Sequence, residues 1–174
     1  MQLSDDDFTL FGLPKQYALD RTALDAQWRR LQAEVHPDRF ASEGASAQRL
    51  AMQWAVRVNE AYQRLRDPLK RAAYLCEQRG VAIDAERNTA MPTAFLMQQM
   101  QWREALDEAE DAAAVEALDD AVGDTERTMF ETLAHLFDEG GNINAAAAQV
   151  RALMFVARFR QDVARRLEVL DAVR

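Results

Sequence analysis

The sequence predicts an all-α protein of two units, a helical hairpin with short flanking helices followed by an acidic helical bundle. Three observations carry this. Apolar residues recur at spacings of three and four through most of the chain, the period of one helix face. Only 6 Gly and 4 Pro interrupt 174 residues, so regular elements are long. Charge is also split: residues 1–79 hold 12 Lys/Arg against 11 Asp/Glu, whereas residues 80–174 hold 9 against 18. Two units with different partners fit that asymmetry.

Composition bounds the function. Hydrophobic content of 49% and charged content of 29% are those of an ordinary globular protein. The net charge of -8 argues against nucleic acid, which needs a basic face to neutralise phosphates. No apolar run is long enough to span a bilayer, and Met1 to Asp7 is acidic, unlike a signal peptide. The single Cys76 excludes an intramolecular disulfide and any CxxC metal or redox site. A cytoplasmic protein without cofactor or metal is expected.

Phe8, Leu10, Phe11 and Leu13, closed by Pro14, read as a short first helix or turn. Asp20 is placed to cap the next helix, with Leu19 and Leu24 as a hydrophobic staple. Leu24, Trp28, Leu31 and Val35 form its stripe, and Arg29 and Arg30 lie off it, as solvated charges or as a positive docking face. Pro37 forces His36 out of the α region, so this helix ends at about Val35. His36-Pro37-Asp38 then opens a loop to Gly44 that presents one imidazole and one carboxylate at a fixed bend. After it, Leu50, Trp54, Val58, Ala61 and Leu65 form the stripe of the second hairpin helix, with Arg49, Arg57 and Arg64 on another side. Asp67-Pro68 supplies a cap and first residue for a further helix that closes at Gly80.

Helix, His36-Pro37-Asp38, helix, then Val58-Asn59-Glu60-Ala61-Tyr62, Leu65, Asp67-Pro68 and Lys70-Arg71-Ala72-Ala73-Tyr74 resembles a J domain across nearly all of residues 5–79. Modules of that family engage DnaK-type chaperones. Many carry a denser basic run before the tripeptide, whereas here Arg29-Arg30 is followed by Gln32 and Glu34.

The boundaries read from sequence are a J domain at 1–79, a linker at 80–91 and a helical bundle at 92–174. Thr89 or Thr93 caps the next helix, with Pro92 helping to start it. Phe95, Gln99, Trp102 and Leu106 lie on one side of it. Leu96, Met97 and Met100 lie on another, followed by Gln101, Glu104 and Glu108. A surface helix ordinarily has one apolar stripe. The second is either a protein-binding patch of adjustable side chains rimmed by carboxylates or a face packed on the first unit. Glu104 to Glu126 holds ten acidic residues and no basic one, and reads as helix with a solvated face and a weak point at Gly123. His135 reads as a packed or half-exposed histidine without a ligand partner. Gly140-Gly141 is a break. Asn142 or Asn144 caps a last helix with Val156, Phe159, Val163, Leu167 and Leu170 as core stripe and Phe155 at its margin, placed to face the Leu96-Met97 patch.

A J domain followed by an acidic bundle with Thr93-Ala94-Phe95-Leu96-Met97, Arg103-Glu104-Ala105-Leu106-Asp107-Glu108, Phe11-Gly12-Leu13-Pro14 and Asp38-Arg39-Phe40-Ala41 is similar to the HscB family over essentially the whole chain. The resemblance implies a co-chaperone of iron–sulfur cluster assembly, with a three-helix bundle set at an angle to the J domain in an L shape. It implies an HscA/DnaK-type chaperone bound through His36, Pro37 and Asp38 beside Arg29 and Arg30. It also implies an IscU-type scaffold bound through Leu96, Met97, Met100, Gln101, Glu104, Glu108 and Phe155. The activity expected is allosteric stimulation of the partner's ATPase, with no chemistry on this chain. A J-domain adaptor for another client is the alternative. An enzyme using His36 and Asp38 as an acid–base pair is disfavoured: Pro37 is expected to hold the two side chains apart, and a solvated loop has no pocket.

Overall fold

The computed structural model describes residues 1–173, and those residues are helical with no strand. The elements are α1 (Asp7–Leu10), α2 (Arg21–Val35), a 3-10 turn (Pro37–Phe40), α3 (Ala45–Arg66), α4 (Pro68–Gln78), α5 (Thr93–Glu108), α6 (Ala112–His135) continued by a π turn (Leu136–Gly140), and α7 (Ile143–Asp171). The chain divides into two compact units, Met1–Leu75 and Cys76–Arg174. The division falls inside α4, ahead of the sequence-based boundary at 79. The last turn of α4 is stitched to the segment after it: Val81 N–H donates to Cys76 O at 3.0 Å around Gly80, whose φ is +85°.

In the first unit, α2 and α3 form the hairpin. The Asp20 carboxylate accepts the Ala23 N–H at 3.1 Å and starts α2 as expected. Leu24, Leu31 and Val35 are buried against Val58, Ala61 and Leu65 of α3. Trp28 stacks on Tyr62 at 4.4 Å between centroids. One expectation fails: Leu50 is 49% exposed, and Ala51 is buried in its stead. The inward stripe runs 51, 54, 58, 61, 65, with alternating steps of three and four, and Leu50 lies about 100° round the helix from Ala51.

Asp7, fully buried, anchors the N-terminal segment. Arg57 Nη1 and Arg64 Nη1 each lie 2.8 Å from its carboxylate, and Tyr74 Oη accepts its N–H at 3.0 Å. Two of the three arginines read as a separate face of α3 therefore point at this carboxylate. Arg57 also donates to the carbonyls of Leu3 and Asp5. Asp67 caps α4, accepting from Leu69 and Lys70 N–H at 2.9 and 3.1 Å.

In the second unit, residues 81–91 are no free tether. The buried Arg151 of α7 donates to the carbonyls of Ile83, Ala82 and Ala90 at 2.8, 3.0 and 3.2 Å. One planar guanidinium satisfies three backbone acceptors of a segment without regular structure. Neither Thr89 nor Thr93 caps α5; Pro92 occupies the cap position and no side chain closes it. The acidic stretch is two helices and not one. Ala109–Asp111 breaks it, and Asp111 accepts the Ala114 N–H at 2.8 Å to start α6. Gly123 faces the Arg160 guanidinium of α7, and a Cβ there would lie in ordinary contact with it at 3.5 Å. That guanidinium reaches Asp119 and Glu126 at 3.1 Å each. His135 is exposed, and its Nδ1 lies 3.3 Å from Glu139, one turn on, so it has an acidic neighbour that sequence reading did not find. Asn142, not Asn144, caps α7, accepting from Ala145 N–H at 3.1 Å. Val156, Phe159 and Val163 are buried; Leu167 and Leu170, in the last turns of α7, are only half-buried.

Candidate functional site

The hairpin turn is built by local constraints. Pro37 holds His36 at ψ 127°, outside the helix, and starts the 3-10 turn. The turn is then fastened from both sides. Arg39 N–H donates to His36 O at 3.0 Å, and Arg39 Nη1 reaches back to Ala33 O of α2 at 3.2 Å. From α3, Gln48 Nε2 donates to Ala41 O at 3.4 Å. His36 Nδ1 accepts the Asp38 N–H at 3.3 Å. The Asp38 side chain, held at this bend, is 93% exposed.

Its Oδ2 lies 3.7 Å from His36 Nδ1, so Pro37 does not hold the two side chains apart. The proline bends the backbone back, which brings residues 36 and 38 to the same side. With Nδ1 already an acceptor, that approach is no hydrogen bond, and both side chains are open to solvent, at 60% and 93% exposed. Arg29 and Arg30 are exposed on α2; Arg29 Nε donates to Asp25 O at 3.2 Å.

The second surface lies on α5. Phe95 and Trp102 face inward and are buried. Phe95 meets Trp102 edge-on at 5.9 Å, and Trp102 stacks on Phe159 of α7 at 5.8 Å. Phe155 is half-buried at the margin of α7, with its ring 5.7 Å from Phe95 and the Arg103 guanidinium 5.3 Å above it. With the inner stripe so filled, the outer one stays open. Leu96 is 39%, Met97 65% and Met100 70% exposed. Met97, Met100, Gln101, Glu104, Asp107 and Glu108 line one shallow groove. Asp107 was not singled out from sequence, and neither was Arg103; the first lies among other carboxylates, and the second is recognisable only once the Phe155 ring is located beneath it.

Residues 91–164 match the family model of the HSCB C-terminal oligomerisation domain. Over 162 residues, 92% of this chain, the sequence is 56% identical to a co-chaperone protein HscB homolog of Bordetella petrii, covering 95% of that protein. The chain belongs to the HscB co-chaperone family. An HscB homolog of Burkholderia cenocepacia is 53% identical over 98% of this chain and 99% of its own length. Among solved structures, the chaperone HscB from Vibrio cholerae matches at TM-score 0.79 with 38% identity, covering 95% of this chain and 99% of that one. The human co-chaperone HscB shares the fold, with TM-score 0.86, 23% identity and coverage of 94% and 83%. The all-helical architecture of the HscB family, a J domain followed by a helical bundle, is thus the architecture of this chain. Among the described residues no helix is long and apolar enough to cross a membrane.

Proposed function

We propose that this HscB-family chain couples two partners in iron–sulfur cluster assembly in the cytoplasm. Its J domain engages an HscA/DnaK-type chaperone through His36, Pro37 and Asp38, flanked by Arg29 and Arg30, and stimulates the partner's ATPase. Its bundle binds an IscU-type scaffold through Leu96, Met97, Met100, Gln101, Glu104, Glu108 and Phe155. The observation that carries the reading is the Asp38 carboxylate, 93% exposed on a turn fastened to both hairpin helices. A pre-ordered acceptor of this kind forms a charge-assisted bond with an arginine, contributing about 1.5–3 kcal/mol once desolvated. Binding that favours the hydrolysis-competent state of the chaperone raises turnover through a population shift. The open Met/Leu face of α5, rimmed by carboxylates, supports the second half: it offers adaptable apolar contact with a polar border. Holding the scaffold on the same chain raises its effective concentration at the chaperone.

The test is a steady-state ATPase assay of a specialised DnaK-type chaperone with this protein and an IscU-type scaffold, separately and together. Stimulation by this protein, increased further by the scaffold, is expected. Stimulation without any binding of the scaffold indicates an adaptor for another client.

A further inference from the structure

Met97 and Met100 are one turn apart on α5, are 65% and 70% exposed, and line the same groove. Among the described residues, no other internal methionine combines such exposure with a neighbour of its kind. Met129 is buried, Met91 and Met154 are half-buried, and Met52 is exposed alone on α3. A thioether is apolar and pliable; its sulfoxide is polar, chiral and a strong acceptor. The groove supplies little to satisfy a new acceptor: the Gln101 amide is the donor among its lining side chains. Beside the two sulfurs it is lined by Gln101, Glu104, Asp107 and Glu108, and three of those four are carboxylates, which only accept.

We propose that Met97 and Met100 are a reversible oxidation site that turns the α5 surface off, with hydrogen peroxide or another neutral peroxide as oxidant. The inference rests on the assignment of this surface to the scaffold. In the step, the sulfur lone pair attacks one peroxide oxygen, the S–O bond forms and the O–O bond breaks. The thioether loses two electrons, and the proton of the attacked oxygen passes to the departing oxygen, releasing water from hydrogen peroxide or an alcohol from an organic peroxide. A neutral oxidant approaches the acidic rim without the repulsion an anionic one meets. The product keeps the fold, since both side chains lie outside the core, yet loses a dry contact. Burial of a sulfoxide against a partner without a donor weakens binding by tenfold or more. Methionine sulfoxide reductases for both epimers restore the thioether.

The experiment treats the full chain with hydrogen peroxide, removes the oxidant, and locates added oxygen by peptide mass spectrometry. Affinity for untreated recombinant IscU-type scaffold is then measured by calorimetry. Oxidation at Met97 and Met100 ahead of Met129, with at least a tenfold loss of affinity reversed by the two reductases, is the expected result. The ratio of affinities after and before treatment is read in parallel for Met97→Leu/Met100→Leu and for Met52→Leu. It stays near one in the double variant and falls in Met52→Leu as in the parent. Unchanged affinity with both sulfurs oxidised overturns the inference, as does an equal loss in the double variant. If that variant no longer binds, reductase rescue of the oxidised parent decides. An untreated protein that does not bind the scaffold removes the underlying assignment and this site with it; affinity that survives oxidation removes the site alone.

Discussion

The ring of Phe155 meets that of Phe95 edge-on, with centroids 5.7 Å apart and planes at 76°. This contact joins the margin of α7 to the inner stripe of α5. Leu96, next to Phe95, stays on the open side, and the Arg103 guanidinium lies 5.3 Å from the centre of the Phe155 ring. An edge-to-face pair of this kind adds about 0.5–1.5 kcal/mol beyond the area it buries.

Leu96→Ala with Phe155→Ala is therefore expected to lower scaffold affinity by at least tenfold in isothermal titration. Phe155 is only half-buried, so the cost to stability should fall below the ~3–5 kcal/mol of a fully buried phenylalanine. Stimulation of the chaperone ATPase by this protein without scaffold should be unaltered. Parent-like affinity would remove Leu96 and Phe155 from the surface.

Asp38→Ala separates binding from folding. The carboxylate is exposed, and the bonds that fasten the turn come from main-chain groups and from His36, Arg39 and Gln48. Stability is expected to change by no more than about 0.5 kcal/mol, the range of ordinary surface substitutions. ATPase stimulation should be lost and scaffold binding retained. Preserved stimulation sinks the role given to the turn.

Asp7→Ala acts in the opposite way. It leaves Arg57 and Arg64 without their shared carboxylate; because both guanidiniums are partly exposed, the cost falls below the ~3–5 kcal/mol of stranding a fully buried charge. Urea unfolding of the Trp102→Phe background, followed by fluorescence of Trp28 and Trp54, should move to lower denaturant. An unshifted midpoint would mean the three groups are solvated in solution.

Acid sensitivity should trace in part to Asp6. Partial burial pushes this carboxyl up, but hydrogen bonds from Lys15 and Thr9 and the Lys15 charge outweigh it, and the group sits at about 2 against an ordinary 3.8. A depressed folded pKa stabilises above the unfolded value and is lost as pH falls through the folded one. The contribution is thus complete above pH 3.8 and disappears toward pH 2. Asp6→Asn, which keeps an acceptor for the Thr9 N–H, should flatten that part of the stability profile. An identical profile in the variant would rule Asp6 out as the titrating group.

Much of this molecule follows from local physics. Helix starts at Asp20 and Asp67, the start of α7 at one of two asparagines, and the stops at Val35 and just before Gly80 follow from capping chemistry and from proline and glycine geometry within a few residues. The surplus apolar stripe of α5 was likewise visible, because a helix has one period and one core-facing side. Here the residues expected in the patch lie together on α5, with Phe155 reaching the adjoining ring.

Long-range electrostatics was not visible in that way. That Asp7 is buried between Arg57 and Arg64, that Arg151 holds residues 82–90, and that Arg160 reaches Asp119 and Glu126 depend on partners dozens of residues apart. No periodicity encodes which charged side chain finds a distant partner. The start of α6 at Asp111 also escaped, because one more acidic residue in an acidic stretch does not stand out as a cap. Sequence alone determined that the chain is helical, most of its helix boundaries and the exposed turn at His36-Pro37-Asp38; the structure left the second stripe of α5 open. Tertiary structure decided which charges go inside, since burying one is favourable only where a partner already stands within bonding distance.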